Sequence, residues 1–171
     1  MTAYVALLRA VNVGGTGKLP MSELKRIADE LGFGCPKTFI ASGNLLFSSD
    51  LAETKVRDKL EKALVAQMGK PVAVMVRTVA EMAAIVKANP FPGEPQNRVI
   101  VTFLPEPPSK DALDDARNLS DERMALGKRE IYVAYPHGLG QSKLRIPAAA
   151  KGTGRNMNSV SKLAEMAKEL T

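Results

Sequence analysis

The order of apolar periods over residues 1–77 restricts this chain more than any other feature of it. "AYVALLRAV" is a short apolar run closed by a glycine cluster, the pattern of a buried strand. "PMSELKRIADELGF" follows at helical spacing: Leu24, Ile27, Ala28 and Leu31 share a face, Pro20 suits a first turn and Gly32 a left-handed stop. "KTFIASGNLLFSS" is two β-prone runs around Ser42-Gly43-Asn44, where glycine and asparagine accept positive φ, so a hairpin is predicted. Asp50 and Glu53 have capping-box spacing ahead of a stripe of Val56, Leu60, Leu64 and Met68 that Gly69 ends; "PVAVMVR" then returns as a strand. Strand, helix, strand, strand, helix, strand is the order of a ferredoxin-like unit, whose helices cover one face of an antiparallel sheet.

Downstream the order starts again. Thr78 and Glu81 repeat the capping-box spacing, and Met82, Ile85 and Val86 give a helix its face before Asn89-Pro90 closes it. Past the loop "FPGEPQN", "RVIVTFL" predicts a strand, "SKDALDDARNL" a helix, and "ERMALGKREIYVAYP" a hairpin turning near Gly127-Lys128. A last helix from about Asn158, with Val160, Leu163, Ala167 and Leu170 on one side, takes the place of the second helix, at a repeat of about 95 residues. The expected fold is α+β: one compact domain, 1–171, of two ferredoxin-like halves, 1–77 and 78–171, as duplicated β-α-β-β-α units with antiparallel or mixed sheets and helices packed on them.

A hydrophobic fraction of 45% over 171 residues is enough for a substantial core. The longest apolar runs fall far short of the roughly 20 residues a bilayer span needs, so no membrane association is expected. Met1 leads into a run carrying Arg9 without a basic leader or small-residue cleavage site, and the single Cys35 has no partner for an internal disulfide. A cytoplasmic location is the expectation. Of the net charge of +6, most lies late: residues 128–171 hold 8 basic and 3 acidic side chains, against 16 and 15 over 1–127. Such a field favours phosphates or carboxylates.

"NVGGTGK", residues 12–18, invites reading as a phosphate loop, yet Asn12 stands where a Walker loop needs its first glycine and Leu19 where it needs Ser or Thr. The dinucleotide fingerprint fails too, because Pro20 occupies its third glycine. What remains is a glycine-rich turn with Lys18 near a helix N-terminus, where free amides and the helix dipole attract anions. Ser159-Val160-Ser161-Lys162 has Ser-x-x-Lys spacing, but no Lys-Thr-Gly accompanies it, and its serines suit the first turn of a helix. His137 is the only histidine and reads as an exposed turn residue; Cys35 reads as a thiol in the turn after the first helix. No metal site and no cofactor motif is legible. "GLGQSKLRIPAAAKGTGRNMNSVSK" gathers Lys143, Arg145, Lys151 and Arg155 with Asn156 and Asn158 and no acid until Glu165, the groups that recognise phosphate. Non-specific nucleic-acid (RNA) binding is the alternative, weakened by the absence of any aromatic residue from 138 onward. A structural or interaction protein without ligand is the third reading.

"YVALLRAVNVGG", "KLPMSELK", "ELGF", "TFIASGNLLF", "NPFP", "IYVAYPHGLGQSKL" and "TGRNMNSVSKL" together resemble the bacterial family of domain of unknown function 1697, over essentially the whole chain. The resemblance implies that the two halves are intertwined. It implies no reaction. Its recurring polar positions correspond to Arg9, Asn12, Gly14, Gly15, Lys18, Ser42, Asn44, Ser142, Lys143, Arg155, Asn156 and Asn158, all ligand-binding candidates. Ala10 stands where the family usually has glycine, and Met157 where it usually has tryptophan. Arginines and asparagines in buried loops need partners, so these loops are expected to converge on one anion-binding cleft. The oligomeric state is not legible.

Overall fold

The structure, a computed structural model, describes residues 1–13 and 17–171, so the candidates Gly14 and Gly15 lie outside the described residues. Among the described residues it is a mixed α+β protein with two four-stranded antiparallel sheets and four α-helices. The chain divides into two compact units, Met1–Ala83 with Leu163–Thr171, and Ala84–Lys162.

The first unit runs β1 (Thr2–Leu8), α1 (Met21–Glu30), β2 (Gly34–Thr38), β3 (Asn44–Ser49), α2 (Glu53–Met68) and β4 (Val74–Thr78), with sheet order β2-β3-β1-β4. One face of the sheet meets both helices. Tyr4, Ala6, Leu8, Leu45, Phe47 and Val76 pack with Leu24, Ile27 and Ala28 of α1 and Val56, Leu60 and Leu64 of α2. Phe33 stacks on Phe47 at 4.4 Å between ring centroids. The predicted helix stops hold, with Gly32 at φ +80° and Gly69 at φ +73°. So does the hairpin, where β3 leaves Gly43 at φ +93° with so little room that an added Cβ would lie 2.6 Å from a Val11 methyl.

Two local expectations are corrected here. Asp50 does not cap α2: Ala52 is the N-cap with no side-chain hydrogen bond, and the Asp50 carboxylate sits 3.4 Å from the N-terminal amine. Cys35 is not in a turn but in β2, exposed, with φ +47° at a register shift between Gly34 and Lys37. The box at α3 (Val79–Lys87), by contrast, is complete: the Thr78 amide donates to Glu81 Oε1 at 2.9 Å and the Glu81 amide to Thr78 Oγ1 at 3.2 Å.

The second unit holds β5 (Val99–Phe103), β6 (Arg123–Leu126), β7 (Glu130–Ala134) and β8 (Thr153–Asn156), in sheet order β6-β7-β5-β8, and α4 (Met157–Lys168) follows β8. The predicted hairpin turns at Gly127, whose amide donates to the Glu130 carbonyl. The predicted helix over 109–119 is instead a series of turns. Ser109 Oγ donates to Asp111, and the amides of Ala112, Asp114 and Ala116 reach back only three residues. Three aspartates and a short, weakly apolar face favour such local bonds over a helix. β8 has no sequence signal, because "TGRN" carries no apolar residue, and α4 follows directly on this fourth strand. Leu113, Leu144, Ile146 and Ala149 from loops pack on Leu104, Ile131 and Val133, and the Tyr132 hydroxyl of β7 donates to the Ile85 carbonyl of α3 at 2.8 Å.

Candidate functional site

The second unit builds its site from three loops pinned by one bridge. Arg117 and Arg145 pair through their backbones at 2.8 and 2.9 Å, an isolated antiparallel bridge outside the strands. Asn118, at φ +59°, then turns the chain so that Asn118–Glu122 runs beside Ser142 and Lys143. The third wall leaves β7 at Tyr135, whose amide donates to the Arg98 carbonyl; Arg98 Nη1 donates to the Pro136 carbonyl, and Gly138, φ +85°, redirects the chain.

Between these walls lies a cleft of about 690 Å³. Its polar lining includes Asn118, Asp121, Glu122, His137, Gln141 and Lys143, with the ring of Tyr135 beside them. Glu122 is buried, 8% exposed, and its carboxylate accepts from the Ser142 hydroxyl and from the Ser120 amide at 2.8 Å. These donors hold its pKa below the usual glutamate value, the Ser142 hydroxyl first, then the backbone amides, with the nearby His137 adding to them. Ser142 Oγ also accepts from the Leu144 amide, so the Glu122–Ser142 contact ties two cleft walls together. His137 Nε2 lies 2.6 Å from Asp121 Oδ2 at the exposed rim, a salt bridge whenever the ring is protonated. Burial, and then Glu122, raise the pKa of Tyr135. Lys143 is exposed at the mouth. The cleft is mixed in sign, two carboxylates facing a lysine and a histidine.

The first unit holds a smaller, mostly apolar depression of about 450 Å³ lined by Asn12, Val13, Lys18, Leu19, Met21 and Ala41. Asn12 is its keystone: Nδ2 donates to the carbonyls of Leu19 at 2.8 Å and Ala41 at 2.7 Å, and Oδ1 accepts from the Leu19 amide at 2.7 Å. This clamp holds Ala10 and Asn12 at φ +56° and faces a loop with Ile40 at φ +55°.

The candidates thus fall into groups. Asn12 and Lys18 line the depression of the first unit, and Ser142 and Lys143 the cleft of the second. Arg9 is exposed just past β1. Asn44 is fully buried and knits the hairpin, its Nδ2 donating to the Phe39 carbonyl and to Ser42 Oγ. Arg155 is buried in β8, donating to Thr153 Oγ1 at 2.8 Å and the Gly154 carbonyl at 2.9 Å; burial lowers its pKa to about 10, so it stays charged at neutral pH. Asn156 caps α4 by accepting from the Ser159 amide at 2.9 Å, a task assigned to the serines from sequence. Asn158 is exposed on the first turn, while Met157 is buried, 1% exposed. Asn118, Asp121 and Glu122 carry no sequence signal, since more than 20 residues separate them from Lys143 and the Arg117–Arg145 bridge and the Glu122–Ser142 bond bring them to it; Gln141 lies beside the basic run without a charge to mark it. Among the described residues no group of three His, Cys, Asp or Glu side chains is placed to hold a metal ion.

Two four-stranded antiparallel sheets with such a loop-built cleft define the class of protein. Residues 1–132 match the family described as protein of unknown function (DUF1697), and the chain belongs to that family. A solved structure of a conserved bacterial protein from Streptococcus pneumoniae is similar in fold, with a TM-score of 0.79 at 24% identity, over 97% of this chain and 98% of that one. No curated protein matches the sequence.

Proposed function

We propose that this protein binds a small anionic or phosphorylated molecule in the cleft of its second unit. The observation that carries the reading is Lys143 at the mouth of a cleft of about 690 Å³ whose other polar groups, Asn118 and Gln141 among them, point to orientation of one small ligand. That volume lies within the range usual for small-molecule sites. No helix among the described residues is long and apolar enough to cross a membrane, and we place the protein in the cytoplasm. We also read residues 1–77 and 78–171 as ferredoxin-like halves related by duplication. Supporting this, Val5 of β1 lies between Leu46 and Arg77, and Val101 of β5 between Tyr132 and Arg155. Each of these buried arginines precedes a capping residue, Thr78 or Asn156, and then a helix.

A nucleic-acid reading draws on the exposed cations Lys143, Arg145 and Lys151, but burial of Arg155 withdraws a fourth. Calorimetric titration with glycerol phosphate and with a single-stranded oligonucleotide at two salt concentrations separates the two. The small-molecule reading expects saturable binding of glycerol phosphate, lost in Lys143→Ala. Oligonucleotide binding that falls steeply with salt, with no response to glycerol phosphate, would replace it by the alternative.

A further inference from the structure

The proposed cleft contains a selectivity element that a simple anion site would lack. Glu122 sits buried in its wall with its pKa held low by Ser142 and the Ser120 amide, so at neutral pH it presents a fixed negative charge. An ionised carboxylate only accepts hydrogen bonds, and the Ser142 hydroxyl with the Ser120 and Glu122 amides leaves part of its accepting capacity for a ligand. Asp121, next in the chain and also lining the cleft, adds a second acceptor at the rim beside His137. Lys143, adjacent to Ser142, is the lysine of the lining and only donates. A bare anion in this cleft would meet the Glu122 carboxylate as well as Lys143, and the like charge would repel it.

From this arrangement we propose that the cleft is specific for a polyhydroxylated small molecule carrying one anionic group, its hydroxyls donating to Glu122 and Asp121 and its anion resting on Lys143. Asn118 and Gln141 both donate and accept, which suits hydroxyl groups, and the Tyr135 ring supplies an apolar surface for the carbon skeleton. Glu122 is on this view the residue that rejects simple anions. The inference rests on the binding reading above and deepens it.

Titration of the whole protein with four probes tests it: glycerol phosphate, gluconate, inorganic phosphate and glycerol. A hydrogen bond to a charged group sets the expected scale, so glycerol phosphate and gluconate should bind at least roughly tenfold more tightly than inorganic phosphate or glycerol. Glu122→Gln, which keeps shape and removes charge, should weaken glycerol phosphate roughly tenfold and at the same time tighten inorganic phosphate. Asn118→Gly preserves the left-handed backbone and deletes a lining side chain; a preference reduced toward that of inorganic phosphate is expected there. Because the wild-type ratio is itself a test, loss of folding in Glu122→Gln does not spare the proposal. Inorganic phosphate binding as tightly as glycerol phosphate, with Lys143→Ala abolishing both, would overturn the selectivity and leave the anion site standing. No binding of any probe would overturn both.

Discussion

Ala10 and Asn12 share an unusual backbone, φ +56°, but for different reasons. Asparagine tolerates the left-handed region and here uses its amide to clamp Leu19 and Ala41, whereas alanine has nothing to offset the clash of its Cβ, a cost of about 1–2 kcal/mol. Ala10→Gly should therefore stabilise the protein by roughly 1 kcal/mol in urea unfolding, even though glycine loosens the unfolded chain. No gain, or a loss, would mean the loop relieves the strain elsewhere. Asn12→Ala should cost about 1–3 kcal/mol, since it strands the Leu19 amide and the carbonyls of Leu19 and Ala41 and keeps an unfavourable φ. Glu122 gives the acid prediction. Its pKa is depressed in the folded state, so its contribution is complete at neutral pH, above the ordinary glutamate value, and is lost as the pH falls through that value toward the lower folded one. A stability profile should drop through this window, and Glu122→Gln should flatten that drop; an unchanged slope contradicts the assignment.

Two capping-box patterns of identical spacing in the sequence have opposite fates as elements. Thr78 and Glu81 exchange both bonds at the start of α3, while Asp50 faces the N-terminal amine and leaves α2 to a cap without a side-chain bond. Thr78→Ala should cost about 1 kcal/mol and Asp50→Ala under about 0.5 kcal/mol, because an exposed ion pair contributes little. Equal costs in chemical denaturation would refute the distinction. The same comparison shows what the sequence makes legible. The apolar stripes of α1 and α2, their glycine stops and both hairpins could be read because burial imposes a period on the residues that create it. β8 could not, since Thr153, Gly154, Arg155 and Asn156 take part in the sheet through their backbones and carry no periodic apolar signal. Nor could the turns at 109–119, where an acceptable helical pattern loses to aspartate and serine bonding locally. Lys143 was visible in the sequence as part of a basic run, but its carboxylate neighbours lie about 20 residues earlier and reach it only through tertiary pairing.

At the scale of the molecule, the two sheets have the same strand order. Helices α1 and α2 pack on the sheet of the first unit, and loop residues around the cleft pack on Leu104, Ile131 and Val133 of the second. Loops carry binding residues because they can vary without disturbing the scaffold, and the larger of the two concavities described here is lined by loops of the second unit. Native-state hydrogen exchange should be slowest in the inner strands β1, β3, β5 and β7, whose amides bond on both sides, and faster in the edge strands β2 and β6. Edge strands as protected as inner ones would rule out this ordering. Phe47→Ala should cost about 3–5 kcal/mol, because Phe33 and Tyr4 both rest on that ring.

The Arg117–Arg145 bridge closes a separation of 28 positions with only two backbone bonds, and no strand extends it on either side. The gape of the cleft is thus governed by that rung and a few side-chain ties, like a jaw hung on pins. Parting its walls requires breaking that rung, the Glu122–Ser142 contact and the Asp121–His137 pair, not unzipping a sheet, so a guest can enter while the scaffold behind it stays shut.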